Sequence, residues 1–245
     1  MATRVDSNKA WDLVDDDLIQ YNTRQYENKY RSTDFIISNL KQHLRSSAHY
    51  NILDVGCGGG GNLYHIAKEF EKCTFTGIDL NEYFINFAKN QHKLRGLKNT
   101  NFKIVDFRNM MEEKYNIVGS SQFLEVLDFD KAKDFKHMCF QRSDNGVYFQ
   151  ALFTEKPLDY EINIHDHIYN KVVPYNIFSI EGIKQIASKY NFKLTQKKQF
   201  IIDVDLPDNH QGRGTYTVKK QNGERMMFSD ILNLPWYFLY FKKQQ

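Results

Sequence analysis

The chain of 245 residues is poor in cysteine and proline and has no long apolar stretch. Its three cysteines form no CxxC pair and no metal-ligand spacing, which favours reduced thiols in a cytoplasmic protein. No apolar run approaches the ~20 residues of a membrane-spanning helix, and the first residues lack the apolar core of a secretory signal. With four prolines there is no Pro-rich linker, so one domain is expected.

The chain also lacks a strong charge of either sign. Its 33 Lys and Arg residues balance 30 Asp and Glu residues, which leaves a net charge of +3. The basic residues are scattered and form no stripe, which argues against a dedicated nucleic-acid binder. Aromatic residues are abundant, with 15 Tyr and 19 Phe, and the hydrophobic share of 41% is ordinary for a globular protein. A small-molecule ligand is therefore expected, whereas the composition does not indicate the oligomeric state.

The spacing of apolar residues changes at about residue 50. Residues 1–48 show helical spacing and predict an N-terminal helical cap. In residues 49–153 short apolar strands alternate with helical stretches, which predicts a parallel sheet with helices on both faces and a cofactor-binding core. Residues 154–245 then predict a substrate-side loop and C-terminal strands, with a β-hairpin at 214–228 before an antiparallel last strand.

The segment "ILDVGCGGGGN" places five glycines directly after a predicted strand. A glycine-rich turn between a strand and a helix presents bare N–H groups and a positive helix end to a ligand. One interpretation is G-x-G-x-x-G with Asp79 at the ~20-residue spacing of a nicotinamide site. The other is D-x-G-x-G-x-G, beginning at Asp54. A buried carboxylate at Asp54 favours a cofactor with an amino group over a pyrophosphate.

Four segments resemble, in order, the motifs of the class I S-adenosylmethionine-dependent methyltransferases. "ILDVGCGGG" is similar to their first motif, "TGIDLN" to the second and "KIVDFRN" to the third. "YNIVGSSQFLEVL" is similar to the fourth-strand segment that lines the reaction centre. The resemblance is specific over about residues 50–150. It implies a Rossmann-like α/β fold, with a seven-stranded, mostly parallel sheet and an antiparallel last strand, and S-adenosyl-L-methionine as cofactor.

The resemblance assigns the first cofactor contacts to the glycine turn. Gly56, Gly58 and Gly60, with Cys57 between them, would let the methionine part of the cofactor lie against the backbone. Asp54 would hold its ammonium group, directly or through water.

The resemblance places the remaining cofactor contacts at three later strand ends. At the end of the second strand, Asp79 would bind the ribose hydroxyls and Leu80 would pack on the adenine. At the end of the third strand, Asp106 and the Phe107 backbone would bind the edge of the adenine. At the end of the fourth strand, Ser121 and Gln122 would border the methionine chain.

The acceptor side departs from the family pattern. Glu125-Val126 stands where many members have Glu-His or His-His, so one ready-made base is missing. Glu125 and the two imidazoles of "INIHDHIYN", His165 and His167, are the candidate bases. No third group of ligands accompanies the histidines, so a metal site is not expected. Three tyrosines are the candidate substrate contacts, namely Tyr26, Tyr30 and Tyr169.

The resemblance predicts methyl transfer to an oxygen or nitrogen atom of a small polar acceptor. "GSSQ" follows the fourth strand in place of an "NPPY"-like motif, which argues against methylation of a flipped base. The C-terminal segment from Gly212 onward resembles methyltransferases associated with surface-polysaccharide biosynthesis, which implies a sugar or sugar-nucleotide acceptor. The alternatives are another small-metabolite acceptor, a nicotinamide-dependent reductase and a non-catalytic cofactor-binding protein.

Overall fold

The structure is a computed structural model that describes residues 16–45, 47–110, 112–167, 171–208, 215–229 and 232–244. Its helices and strands, in chain order, are α1 (Asp16–Glu27), α2 (Arg31–Leu40), β1 (Asn51–Val55), α3 (Gly61–Glu69), β2 (Thr74–Asp79), α4 (Glu82–Leu94), β3 (Thr100–Ile104), β4 (Tyr115–Ser121), α5 (Phe129–Arg142), β5 (Ser143–Thr154), β6 (Asn163–Asp166), β7 (Lys171–Pro174), β8 (Phe178–Ser179), α6 (Ile180–Ser188), β9 (Phe192–Gln199), β10 (Thr215–Lys219), β11 (Arg225–Ser229), β12 (Leu232–Asn233) and β13 (Trp236–Lys243).

The central sheet has the strand order β3-β2-β1-β4-β5-β13-β9, and the short β8 pairs with the end of β5. The strands from β3 to β5 run parallel, whereas β13 runs antiparallel to both of its neighbours. This confirms the predicted Rossmann-like sheet and its antiparallel last strand. The chain reverses direction across the sheet between β1 and β4, and ligands of open α/β sheets bind at such a switch point.

The sheet is buried on both faces because its central strands carry apolar residues at successive positions. On β1, Leu53 belongs to the core under α5 and α6, whereas Ile52 belongs to the core under α2, α3 and α4. Several helices begin at side-chain caps: Asn81, Asp128 and Ser179 each accept a backbone hydrogen bond from the first turn. α3 begins instead at Gly60, without a side-chain cap. Its first N–H groups therefore stay available at the switch point.

The N-terminal helices and the C-terminal strands are additions to this sheet. α1 lies against α3, as expected of the predicted helical cap. β10 and β11 form the predicted hairpin, and Gly223 in its turn has a φ of +86°. Within the segment expected to be loop, residues 163–166 and 171–174 instead pair as the antiparallel strands β6 and β7. No helix in the described part of the chain is long and apolar enough to cross a membrane.

Candidate active site

One pocket lies at the carboxyl ends of β1, β2, β3 and β4, and α1 forms its outer wall. It contains most of the residues that the sequence predicted to bind the cofactor. These are Gly56, Cys57, Gly58, Asp79, Leu80, Asp106, Phe107, Ser121 and Gln122.

The glycine turn between β1 and α3 needs glycine for two physical reasons. Gly56, Gly58 and Gly60 have φ values of +71°, +52° and +79°, in the left-handed region that L side chains rarely adopt. A Cβ on Gly56 would also lie 2.3 Å from the Phe123 ring. A Cβ on Gly58 would meet no atom within 4 Å, so its backbone faces open space in the pocket. The backbone at Gly58 is therefore open to a ligand.

Tyr26 lies behind the glycine turn and supports it. Its hydroxyl donates a hydrogen bond of 2.5 Å to the Gly59 carbonyl, its side chain is 4% exposed, and the Arg95 guanidinium lies over its ring. Tyr26 does not line the pocket, and neither does Tyr30, the half-buried residue that precedes α2. The geometry gives Tyr26 a bracing role, and the predicted acceptor contacts of both tyrosines stay predictions.

Asp79 lies at the end of β2 with both carboxylate oxygens directed by the backbone. The Gly58 N–H donates to Oδ2 and the Asn81 N–H donates to Oδ1, each at 2.9 Å. Burial raises the pKa of Asp79, and these hydrogen bonds oppose that shift. Asp54 lies deeper, 5% exposed and outside the pocket lining, and burial together with the nearby Asp79 raises its pKa to about 7. A cationic group bound nearby would favour the ionised form of both carboxyls.

The pocket wall that follows β2 and β3 consists of an exposed apolar side chain, Leu80, and an acid, Asp106, that is paired with an arginine. The Leu80 side chain is 45% exposed although it lines the pocket, so it offers an uncovered apolar face. The Phe107 ring is buried in the core, which leaves mainly its backbone to a ligand. The Arg108 guanidinium donates to both oxygens of Asp106 and holds the pKa of that carboxyl below its usual range. A ligand amino group at Asp106 would have to share the carboxylate with Arg108.

The segment after β4 is held by β5. The Ser121 hydroxyl donates to Gln150 Oε1 at 2.8 Å, and the Gln122 N–H donates to the Gln150 carbonyl at 2.8 Å. Gln122 has a φ of +56°, which is uncommon for a residue with a side chain. Such strain concentrates at functional sites. Gln150 Nε2 is buried and has no hydrogen-bond partner among the described residues.

Glu125 is an isolated buried acid behind the same wall. Its side chain is 1% exposed, and Oε2 has no hydrogen-bond partner in the part of the chain that the structure describes. Burial raises the pKa of Glu125 to about 8. Its carbonyl accepts a hydrogen bond from the Asn176 N–H, but the residue does not line the pocket.

The structure does not bring the two predicted histidine bases to the pocket. His165 lies on β6 and His167 follows it, and both side chains are exposed and outside the pocket lining. Tyr169 lies outside the described residues. The described side chains contain no cluster of three or more His, Cys, Asp or Glu that could hold a metal ion.

Sequence reasoning missed a polar part of the pocket wall. α1 contributes Tyr21, Asn22 and Gln25 to this wall, and the Thr33 hydroxyl donates a hydrogen bond of 2.5 Å to Asn62 Oδ1. The only signal was the spacing of polar residues by one helical turn in "YNTRQY". The missed lining residues include Tyr21, Asn22, Gln25, Asn62, Arg108 and Lys131.

Comparison with known proteins gives one family match and several related sequences. A family model described as a methyltransferase domain matches residues 46–205. A malonyl-[acyl-carrier protein] O-methyltransferase of Bacillus cereus is 25% identical over 189 residues, covering 69% of this chain and 68% of that protein. A second such enzyme, of Ilyobacter polytropus, is 30% identical and covers 48% of this chain and 47% of that protein. A fatty-acid O-methyltransferase of Mycolicibacterium smegmatis is 45% identical over 47 residues, only 17% of its length.

Solved structures share the fold over the whole chain at low sequence identity. Magnesium protoporphyrin IX methyltransferase from Synechocystis PCC 6803, with bound SAM, has a TM-score of 0.64 at 11% identity and covers 100% of both chains. The 1,6-didemethyltoxoflavin-N1-methyltransferase of Burkholderia thailandensis has a TM-score of 0.61 at 12% identity, covering 100% of this chain and 93% of that one.

Proposed function

Because the chain belongs to the class I S-adenosylmethionine-dependent methyltransferases, we propose that it transfers the sulfonium methyl group to an oxygen or nitrogen atom of a small polar acceptor. The family match covers more than half of the chain, and it confirms the predicted family, enzyme class and cofactor. It decides against the nicotinamide-dependent reductase. The acceptor and the residues that bind it are the proposed part.

The observation that carries the proposal is the arrangement of the pocket along one sheet edge. The open backbone at Gly58 suits the methionine part of the cofactor. Both oxygens of Asp79 are oriented to accept from two vicinal ribose hydroxyls. The exposed Leu80 beside Phe107 suits the flat adenine ring. The buried carboxyl of Asp54 suits the ammonium group, because a nearby cation stabilises the ionised acid.

For this reaction the pocket must mainly align the acceptor atom with the methyl group of the cofactor. The acceptor's lone pair attacks the methyl carbon in line with the carbon–sulfur bond, a new carbon–oxygen or carbon–nitrogen bond forms, and S-adenosylhomocysteine leaves as a neutral thioether. The sulfonium is already activated, so positioning supplies much of the rate. A hydroxyl acceptor must also lose its proton. Glu125 is a candidate for that base, since it lies three residues after the strained Gln122 and directly before the pocket-lining Val126. Its own side chain is buried outside the pocket lining, so His165 and His167 stay candidates beside it.

The polar lining favours a hydroxyl-rich acceptor. Side-chain amides and a hydroxyl line the pocket beside the turn, and such groups both donate and accept hydrogen bonds. They are Asn22, Gln25, Asn62, Ser121 and Gln122. We therefore propose a sugar or sugar-nucleotide acceptor, methylated at a hydroxyl or amino group, with His165, His167, Tyr26, Tyr30 and Tyr169 remaining candidates on the acceptor side.

A carboxylate acceptor is the second candidate. Two matched relatives are named for O-methylation of malonyl-[acyl-carrier protein] and of fatty acids, and each is matched over only part of its own length. Lys131 lines the pocket, where its ammonium group, which is ion-paired with Asp128 at 3.1 Å, would also attract a carboxylate. This candidate predicts a methyl ester as product.

A labelled-methyl experiment tests both candidates. The protein is incubated with S-adenosylmethionine carrying a tritiated methyl group and with cell extract separated into small-molecule and macromolecular fractions. We expect label in a small-molecule product that survives mild alkali, as methyl ethers and methylamines do. Label released as methanol by alkali would establish a methyl ester and the second candidate. Label in no fraction, with S-adenosylhomocysteine still bound, would favour the non-catalytic alternative.

A further inference from the structure

A second cavity lies at the amino ends of the parallel strands, on the side of the sheet opposite to the cofactor pocket. It is formed by the residues after α2, the approach to β1, the start of β5 and the end of β13. Its volume is about 840 Å³, within the roughly 300–1,000 Å³ of small-ligand sites. None of its lining residues belongs to the cofactor pocket.

The lining of this cavity is predominantly cationic. Lys41, Arg45, Lys242 and Lys243 contribute to it, against a single acid, Asp144. Lys41 is paired with Glu69 on α3. Arg45 and Lys242 have no ion pair among the described residues, so their charges face the cavity uncompensated by a salt bridge. The cavity therefore attracts anions.

One wall of the cavity is rigid and aromatic. The His43 ring lies flat on the Tyr240 ring, with centroids 3.6 Å apart and planes 2° from parallel. His43 Nε2 contacts Gln196 Oε1 at 2.6 Å, and Gln196 Nε2 donates to Asn39 Oδ1 at 2.7 Å. A Cβ on Gly146 would lie 2.1 Å from the Tyr240 hydroxyl, so the strand beside it must carry glycine. Contacts within the protein therefore hold both rings of this wall in place.

We propose that this cavity is a second ligand site, which binds a polyphosphate-type anion between Arg45 and Lys242, against the His43–Tyr240 wall. The guanidinium of Arg45 presents several N–H donors in one plane and suits bidentate contact with phosphate oxygens. The ammonium of Lys242 supplies a second charge to the same lining. A free polyphosphate chain and a nucleotide share this chemistry.

Calorimetric titration tests the site on protein saturated with S-adenosylhomocysteine, so that an adenine ring cannot occupy the cofactor pocket. Tripolyphosphate and ATP are titrated separately without Mg²⁺. We expect both to bind at one site. Equal affinities would show that the phosphate chain alone is recognised, and tighter binding of ATP would add a contact to the aromatic wall; both support the site.

Charge variants decide whether the binding occurs in this cavity. Arg45→Gln and Lys242→Gln should each weaken tripolyphosphate binding about tenfold, because each removes a charge-assisted hydrogen bond. Asp144→Asn should strengthen it, since it removes the only acid of the lining. Lys219→Gln makes the same charge change on exposed β10 and should have no effect. No binding of either anion, or binding that Arg45→Gln and Lys219→Gln change equally, would overturn the proposal.

Discussion

Asp79 is a half-buried acid whose carboxylate is held in one orientation by the backbone. Its oxygens already accept from the backbone of residues 58 and 81, which fixes the plane of the carboxylate. A charged hydrogen bond contributes ~1.5–3 kcal/mol. The proposed ribose binding would use this fixed plane, so the orientation of the carboxylate would matter as much as its charge.

Replacement of Asp79 by Ala is expected to lower the affinity for S-adenosylhomocysteine by at least tenfold, because two ribose hydroxyls lose their acceptor. The fold should be preserved, as judged by circular dichroism and by the thermal midpoint without ligand. Isothermal titration calorimetry measures the effect. Glu82→Ala, three residues later and exposed on the first turn of α4, is the matched control and should bind normally. Equal affinity of both variants would contradict the assignment.

Glu125 should make stability depend on pH. The unfolded chain releases a glutamate proton near pH ~4.3, whereas the folded chain keeps it up to about pH 8. Between these values the folded state binds more protons, so stability falls as pH rises, by at most ~1.4 kcal/mol per pH unit. Glu125→Gln removes this titration and is expected to gain stability relative to the natural protein from pH 5 to pH 8. Urea denaturation at pH 5, 6.5 and 8 measures the difference, and a constant difference would refute it.

Among the elements, the glycine turn and α1 act as one unit. α3 has no side-chain cap, and its preceding turn is held from outside by Tyr26 and His92, which contact the carbonyls of Gly59 and Gly60. The turn is thus fixed through these two carbonyls on one side and through the Gly58 N–H, which donates to Asp79, on the other.

Gly58→Ala tests whether the open space at this turn is reserved for ligand. Gly96 is its matched control, because both glycines have positive φ and neither would place a Cβ within 4 Å of another atom. Left-handed strain should cost each variant ~1–2 kcal/mol of stability. Only Gly58→Ala is expected to lose affinity for S-adenosylhomocysteine, by tenfold or more. If thermal and calorimetric effects are equal in both variants, the cofactor does not approach this backbone.

Tyr26→Phe tests whether the Tyr26 hydroxyl on α1 stabilises the glycine turn. It leaves the buried Gly59 carbonyl without its donor and should cost ~1–3 kcal/mol of stability. Tyr83→Phe on α4 removes a hydroxyl for which no hydrogen bond is found among the described residues, and it should stay within ~0.5 kcal/mol. Thermal unfolding compares the two. A loss confined to S-adenosylhomocysteine affinity, with stability unchanged, would place Tyr26 in the pocket instead.

The elements predicted best were those whose signal is local in the sequence. Strand–helix alternation and the glycine turn fix β1, α3 and the site at their junction, and the "QNG" turn fixes the β10–β11 hairpin. The β6–β7 pair was missed because its ladder is short and lies away from the main sheet. Asn22 and Gln25 were missed as pocket residues because apolar spacing marks the buried side of a helix and gives no signal for polar side chains at its border.

At the scale of the whole molecule, the described residues form two cavities at opposite ends of the sheet's parallel strands. The cofactor pocket lies at the carboxyl ends of these strands, and the cationic cavity lies at their amino ends. The residues that would bind the acceptor depend on contacts between distant segments, such as Asn176 with the backbone of residues 125 and 127. No local sequence pattern carries such contacts, which is why the acceptor side is the least predictable part of the chain.

The most direct test of the central claim is calorimetric titration of the protein with S-adenosylhomocysteine and, separately, with NADH. We expect S-adenosylhomocysteine to bind with one-to-one stoichiometry and, at a free concentration of 100 times its Kd, to stabilise the fold by ~2.7 kcal/mol. NADH should neither bind nor raise the thermal midpoint. Tight binding of NADH without any response to S-adenosylhomocysteine would contradict the account.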